Sequence, residues 1–272
     1  MPEALAGERK LSFLSHDEHL KLNQITGHAY LNLFAFVEEY IIATAVQHAQ
    51  AEMHGDHAAI RALCRFADEE IKHQQLFYRY LDAFKAGFGH ECAVLQDAAA
   101  VADVILSKSP IAVMLVTLHL EIMTQAHYTE SVRDNETLDP LFARLLKHHW
   151  LEESQHAKID ALELDKLVSS AGPEQIKKAF SDYLDLIGAF DGLLDSQSKM
   201  DVPSLETATG RKFTEAEAKE IVSAQHAAYR NTFLVLGMEN RLFVDIVKKI
   251  SPSDAAVIAS RSAGLSGASN PS

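Results

Sequence analysis

The chain carries one unusual pattern twice: a glutamate inside an apolar helical run, followed 32 residues later by a Glu-x-x-His. The first copy is Glu38, then Glu70 with His73; the second is Glu121, then Glu153 with His156. At about 100° per residue, the Glu and His of each pair leave one face of a helix. A glutamate among apolar neighbours points into a core, where an unpaired carboxylate is costly enough to need a partner or a metal. Equal intervals imply two helical hairpins of similar reach, able to bring four carboxylates and two imidazoles together. An all-α protein follows as the expected fold class.

Local signals mark the helices. Ser15-His16-Asp17-Glu18 fits a capping box opening a helix that runs to about Met53. Within it Glu38 shares a face with Leu31, Phe34, Ile42 and Ala45, whereas Glu39 falls beside Asn32 and Gln50. The two glutamates differ by one step on the wheel, and the pattern turns Glu38 inward. A second helix is predicted over about 56–85, and a connection over 91–109 contains a short helix near 95–106. Pro110 opens a helix to about Arg133 that holds Glu121, and Asp139-Pro140 opens another to about Ala171. Further helices are expected over 174–198 and 214–250, with a loop over 201–213. The domain reading is one unit over 1–250, its metal-bearing bundle about 15–171 and its extra helices about 174–250. The Ser/Ala/Gly-rich 251–272 reads as a flexible tail.

A net charge of −13 argues against a nucleic-acid partner, which needs a basic stripe. Two cysteines, Cys64 and Cys92, encode neither a disulfide scaffold nor a Cys-x-x-Cys iron site. The most apolar run, 29–46, contains Glu38 and Glu39, which argues against a membrane span. The first residues lack the basic start and apolar core of a signal peptide. A cytoplasmic location is the expectation.

The second half carries one more ligand-type residue. His149, Glu153 and His156 stand at i, i+4 and i+7, within an arc of roughly 60°. The matching position on the earlier helix is Phe66, so the site is expected to be asymmetric. His149 reads as a ligand or as an outer histidine beside His148. His48, His54 and His57 read as exposed near a helix end, His119 and His127 as out of line with Glu121, and Tyr78 and Trp150 either as core residues or as residues that line a pocket or carry electrons near the ligands.

Glu38, Glu70, His73, Glu121, Glu153 and His156 resemble the ligand set of the ferritin-like di-iron carboxylate superfamily, over about Ser15 to Ala171. With His149, the pattern is most similar to the para-aminobenzoate N-oxygenase group of di-iron oxygenases. The resemblance implies a four-helix bundle with a crossover connection and two additional C-terminal helices. It also implies two iron ions on Glu38, Glu70, His73, Glu121, His149, Glu153 and His156, dioxygen as co-substrate and an external electron donor. Glutamate and histidine suit manganese, or a mixed pair, as well as iron.

Two functions are open at this stage. One is a di-iron oxidoreductase that oxygenates or oxidises a small organic substrate, with arylamine N-oxygenation as the reaction the resemblance implies. The other is a ferritin-like ferroxidase that handles iron. About a hundred residues beyond the metal-bearing segment suit a substrate-pocket cover or a homodimer interface better than a storage cage.

Overall fold

A computed structural model describes residues 1–266, whose regular structure is all helical, with no strand among the described residues. The helices are α1 (Pro2–Glu8), α2 (His16–Ala51), α3 (His57–Phe88), α4 (Ala98–Leu106), α5 (Pro110–His127) and α6 (Pro140–Ser169). They continue as α7 (Pro173–Thr209), α8 (Glu215–Arg230), α9 (Leu236–Glu239), α10 (Arg241–Ile250) and α11 (Pro252–Ser266). Two π-helical segments, Tyr128–Val132 and Asn231–Val235, follow α5 and α8.

The expected starts of α2, α3, α5 and α6 are made by the residues that signalled them. The Ser15 hydroxyl accepts the Glu18 amide at 3.3 Å, and Glu18 returns a bond to the Ser15 amide at 2.7 Å. Asp56 and Asp139 accept first-turn amides of α3 and α6, and Pro110 opens α5. These side chains satisfy donors that a helix start leaves without partners. α2 pairs with α3 and α5 with α6, and α3 meets α6. α4 lies on α2, within the connection that separates the two hairpins. Gly89 ends α3 in the left-handed region, at φ 78°, where a side chain would be strained.

α5 is buried along nearly its whole length, because α4, α6, α7 and α9 pack around it. That enclosure explains its almost unbroken apolar sequence: no face of the helix looks to water. α2 is, among the described residues, the one helix long and apolar enough to cross a membrane by composition. In this structure 67% of its apolar window is buried against the protein.

The C-terminal third departs from the expectation in three places. α7 does not stop at Ser198 but continues through Pro203 to Thr209, so the loop expected over 201–213 shrinks to the residues before α8. A proline inside a helix costs roughly 3 kcal/mol. Here Val202 and Leu205 join Leu11, Leu14, Leu22, Ile25 and Ile221 in a second apolar core that offsets it. Asp201, fully buried, accepts bonds from Gln197, Gln225 and Tyr229 at 2.9, 3.0 and 2.7 Å. Next, the single helix expected over 214–250 is interrupted by the π-helical segment and by Asn240, which is extended and caps α10. Finally, 252–266 is not a frayed tail: α11 buries Ala255, Ile258, Ser262 and Leu265. The last six residues of the expected tail lie outside the described ones. The short α1 was not anticipated either.

His119 on α5 shows how closely the C-terminal helices approach. It takes the Tyr183 hydroxyl at Nδ1, 2.8 Å away, and gives its Nε2 proton to the Phe233 carbonyl at 3.0 Å. A Cβ on Gly237 would fall 2.5 Å from His119 Nε2 and 2.9 Å from the His119 carbonyl oxygen. The backbone oxygen cannot yield, so Gly237→Ala is expected to cost about 3 kcal/mol, the upper range for overpacking. Urea unfolding measures it; a loss under about 0.5 kcal/mol would contradict this packing.

Candidate metal centre

The two hairpins place Glu38 on α2, Glu70 and His73 on α3, Glu121 on α5, and His149, Glu153 and His156 on α6. All seven side chains are at most 3% exposed, so water does not screen them. Glu39, by contrast, faces solvent, as the wheel predicted.

Six of the seven form two overlapping groups, each able to hold a metal ion: Glu38, His73, His149 and Glu153, and Glu70, His73, Glu153 and His156. Within each group the ligand atoms lie within 4.8 Å of one another. Glu153 connects the two. Its Oε1 is 2.5 Å from His149 Nε2 and 3.2 Å from His73 Nδ1, while its Oε2 is 2.9 Å from His156 Nδ1. Glu70 Oε1 is 2.7 Å from His156 Nδ1, and Glu38 Oε1 is 3.4 Å from His149 Nε2. Glu121 belongs to neither group, although it is buried beside Glu153, whose charge acts on it.

Whether the residues suit a metal is decided by what they lack. Both oxygens of Glu38, both of Glu70, His73 Nδ1 and His149 Nε2 are buried and make no well-directed hydrogen bond, although Glu70 Oε1, His73 Nδ1 and His149 Nε2 each lie within 3.2 Å of an oppositely charged neighbour. Orphaned buried polar atoms are rare in folded proteins, and each is costly. Six of them converging on one place, all oxygens or imidazole nitrogens, fit a divalent cation.

The protonation of the cluster says the same. Burial pushes the Glu38 carboxyl up to about 8. Burial and then the Glu153 charge raise Glu121 well above the ordinary range. Burial alone would lower His73 and His156, but the adjacent Glu153 and Glu70 carboxylates bring them up to about 12 and about 11. Glu153 runs the other way: burial would raise it, yet the His149 charge and bonds from its neighbours hold it well below the carboxylate range. Protons thus do the neutralising that cations would do, and metal binding would release them.

Outer carboxylates orient two of the imidazoles. His73 Nε2 donates to Glu152 at 2.8 Å and His156 Nε2 to Glu69 at 2.9 Å. Each bond leaves Nδ1 free to face the cluster, the usual way a ligating tautomer is set. The arrangement is reciprocal, since Glu69 on α3 serves the histidine of α6 and Glu152 on α6 serves the histidine of α3. The Glu-Glu-x-x-His repeated at 69–73 and 152–156 is the sequence signal for it, though only the second glutamate of each pair was singled out. Glu152→Ala is expected to weaken metal binding about 10–100-fold. An anaerobic titration of Fe(II) into the variant checks this, and an unchanged affinity would contradict the orienting role.

Aromatic rings close the surroundings. Phe66 stacks on His156 at 4.1 Å, while Phe34 and Phe77 meet His149 edge-on at 5.2 and 5.0 Å. The expected asymmetry is therefore physical: a phenyl ring stands on α3 where α6 has a third histidine. Asp160, one turn after His156, escaped the sequence reading. It is 1% exposed, its Oδ2 has no partner, and burial raises its carboxyl well above the ordinary range. Its i+4 spacing from His156 was the available signal. The bystander histidines divide: His54 and His57 are exposed, but His48 pairs with Glu163 at 2.9 Å, and His119 and His127 are buried. Tyr78 is 47% exposed rather than core, and Trp150 stacks on Tyr128 at 4.7 Å.

The fold and the site together define an all-α protein with a buried glutamate–histidine cluster able to bind metal. No family model, curated protein or solved structure matches the chain.

Proposed function

We propose that the protein is a ferritin-like di-iron oxidoreductase that uses dioxygen to oxidise or oxygenate a small organic substrate. Glu38, Glu70, His73, Glu121, His149, Glu153 and His156 would hold the two irons. The observation that carries this reading is Glu153, which belongs to both four-residue groups and sends one oxygen toward His149 and the other toward His156, among six buried ligand atoms that make no well-directed hydrogen bond. An imidazole nitrogen serves one metal, whereas a carboxylate can bridge two.

Iron held there would supply the electron-transfer chemistry that dioxygen reduction requires. The chain's own residues do the rest. Glu69 and Glu152 hold the imidazoles of His156 and His73 in one tautomer. Phe34, Phe66 and Phe77 keep water from the cluster, which strengthens every electrostatic interaction inside it. His149 adds a third imidazole, the feature on which the resemblance to arylamine N-oxygenases rests; arylamine N-oxygenation is therefore the particular reaction proposed.

The same cluster supports a ferroxidase reading. What favours the oxidoreductase is the extent of chain beyond the two hairpins: α7 packs on α2 and α5, and α9 packs on α5. Anaerobic loading with Fe(II), followed by rapid mixing with dioxygen in the presence of para-aminobenzoate and related arylamines, separates the two. N-oxygenated product formed at more than one turnover supports the proposal. Iron oxidation that continues into mineral growth, with no organic product, replaces it with iron handling.

A further inference from the structure

Next to the metal cluster, α2 and α5 hold a second buried chain of hydrogen bonds. The Tyr30 hydroxyl lies 2.9 Å from His127 Nδ1, and His127 Nε2 lies 2.8 Å from Glu3 Oε1. Glu3 Oε1 accepts from the Thr232 hydroxyl at 3.3 Å as well as facing Nε2, the contacts of a carboxylate anion. The anion sets the roles: Nε2 carries a proton and donates to Glu3, leaving Nδ1 to accept from the Tyr30 hydroxyl. On its other side Tyr30 packs 4.7 Å from Phe34, whose ring meets His149 at 5.2 Å. Glu3 reaches the outside, lining a cleft of about 430 Å³ with Gly7, Lys10, Ser223 and Asn231.

Satisfying a buried hydroxyl needs less than this. His119 takes the Tyr183 hydroxyl and ends on the Phe233 carbonyl, a neutral group. The partner of Tyr30 instead has a carboxylate behind it, the arrangement that stabilises an imidazolium formed by proton transfer.

We propose that Tyr30 is an oxidisable tyrosine that gives one electron to the oxidised iron pair and its phenolic proton to His127. The O–H bond breaks and an N–H bond forms at Nδ1, so the products are a neutral phenoxyl radical and an imidazolium facing Glu3. The oxidising equivalent would come from dioxygen through the iron that the cluster would hold, and Tyr30 would supply one of the electrons its reduction needs. An external electron donor then reduces the radical, and the proton returns from His127. Tyr30 thus offers the oxidised centre an outlet when no substrate is present. The inference rests on the di-iron reading of the cluster.

The test is freeze-quench electron paramagnetic resonance on the Fe(II)-loaded full chain after mixing with dioxygen and no substrate. A tyrosyl doublet is expected, narrowed by ring-deuterated tyrosine and absent in Tyr30→Phe. His127→Gln, which accepts the hydrogen bond but not the proton, should form the radical roughly 100-fold more slowly, the size of a lost general base. Iron counts and circular dichroism show whether each variant is folded and loaded, and the deuterium experiment on the native chain needs no variant. A chain that binds two irons and is oxidised without a tyrosyl signal overturns the proposal. So does a signal that persists in Tyr30→Phe, for instance on Tyr128 or Trp150. A chain that binds no iron overturns the di-iron reading first, and this proposal with it.

Discussion

Glu153→Ala abolishes tight binding at both halves of the centre, whereas removal of any other single glutamate should weaken chiefly one. Glu153 lies within 3.2 Å of all three imidazoles and belongs to both metal-capable groups. An outer partner such as Glu152 is worth about 10–100-fold in affinity, so loss of the shared inner carboxylate should exceed about 100-fold. The metal-free fold suffers too. Glu153 is the carboxylate that stays ionised among His73, His149 and His156, and its removal leaves their buried charge uncompensated. Breaking a buried ion pair by deleting one partner costs about 3–5 kcal/mol. Glu153→Gln keeps the volume and separates the two effects: it should recover part of the packing and none of the bridging. Near-native Fe(II) titrations of Glu153→Ala would contradict the shared role.

The second large effect is stabilisation by metal, and its dependence on pH. A metal present at a hundred times its Kd stabilises the folded state by about 2.7 kcal/mol per site. For a chain of this size about 2–4 °C accompanies each kcal/mol, so two sites should raise Tm by roughly 10–20 °C. The pH dependence has a definite sign. In the metal-free fold burial raises Glu38 to about 8, Glu121 and Asp160 lie well above their ordinary values, and His73 and His156 are raised as well. The folded cluster therefore binds more protons than the unfolded chain. Its contribution is fully present below the unfolded carboxyl values and is lost as pH rises through about 8 for Glu38. The depressed Glu153 acts oppositely, but only at acid pH, where its contribution is lost as pH falls. Metal binds the deprotonated ligands and tightens as pH rises. The difference in Tm between loaded and metal-free protein should consequently widen from about pH 5 to about pH 8, between the ordinary carboxyl range and the raised Glu38. Thermal scans of both forms check it, and a narrowing difference would contradict the protonated, cation-seeking cluster.

How much of this was legible in the sequence depends on which force set each feature. The starts of α2, α3, α5 and α6 are local, written in Ser15, Asp56, Pro110 and Asp139-Pro140, and they fall where those residues put them. Glu38 was separable from Glu39 because burial on a long straight helix follows the 3.6-residue period. The C-terminal third was less legible because tertiary packing overrides local preference there. Pro203 reads as a stop, yet the apolar core around Val202 and Leu205 holds the helix through it. The small residues of 252–266 read as a tail, but small side chains are what a closely docked helix such as α11 requires. Within the site, the inner Glu and His were found through their repetition. Glu69 and Glu152 were passed over because a glutamate one wheel step from a ligand looks like surface until the facing helix is placed opposite it. His127 and Tyr30 are 97 residues apart, and only the docking of α2 against α5 reveals their bond.

The central claim is that the seven side chains hold a pair of metal ions, and iron stoichiometry tests it most directly. Metal-free protein is loaded with excess Fe(II) under strict anaerobiosis, desalted, and analysed for iron and protein together. Two irons per chain are expected, falling to fewer than one in Glu153→Ala. A native chain that retains no iron, or only one, while remaining folded would contradict it.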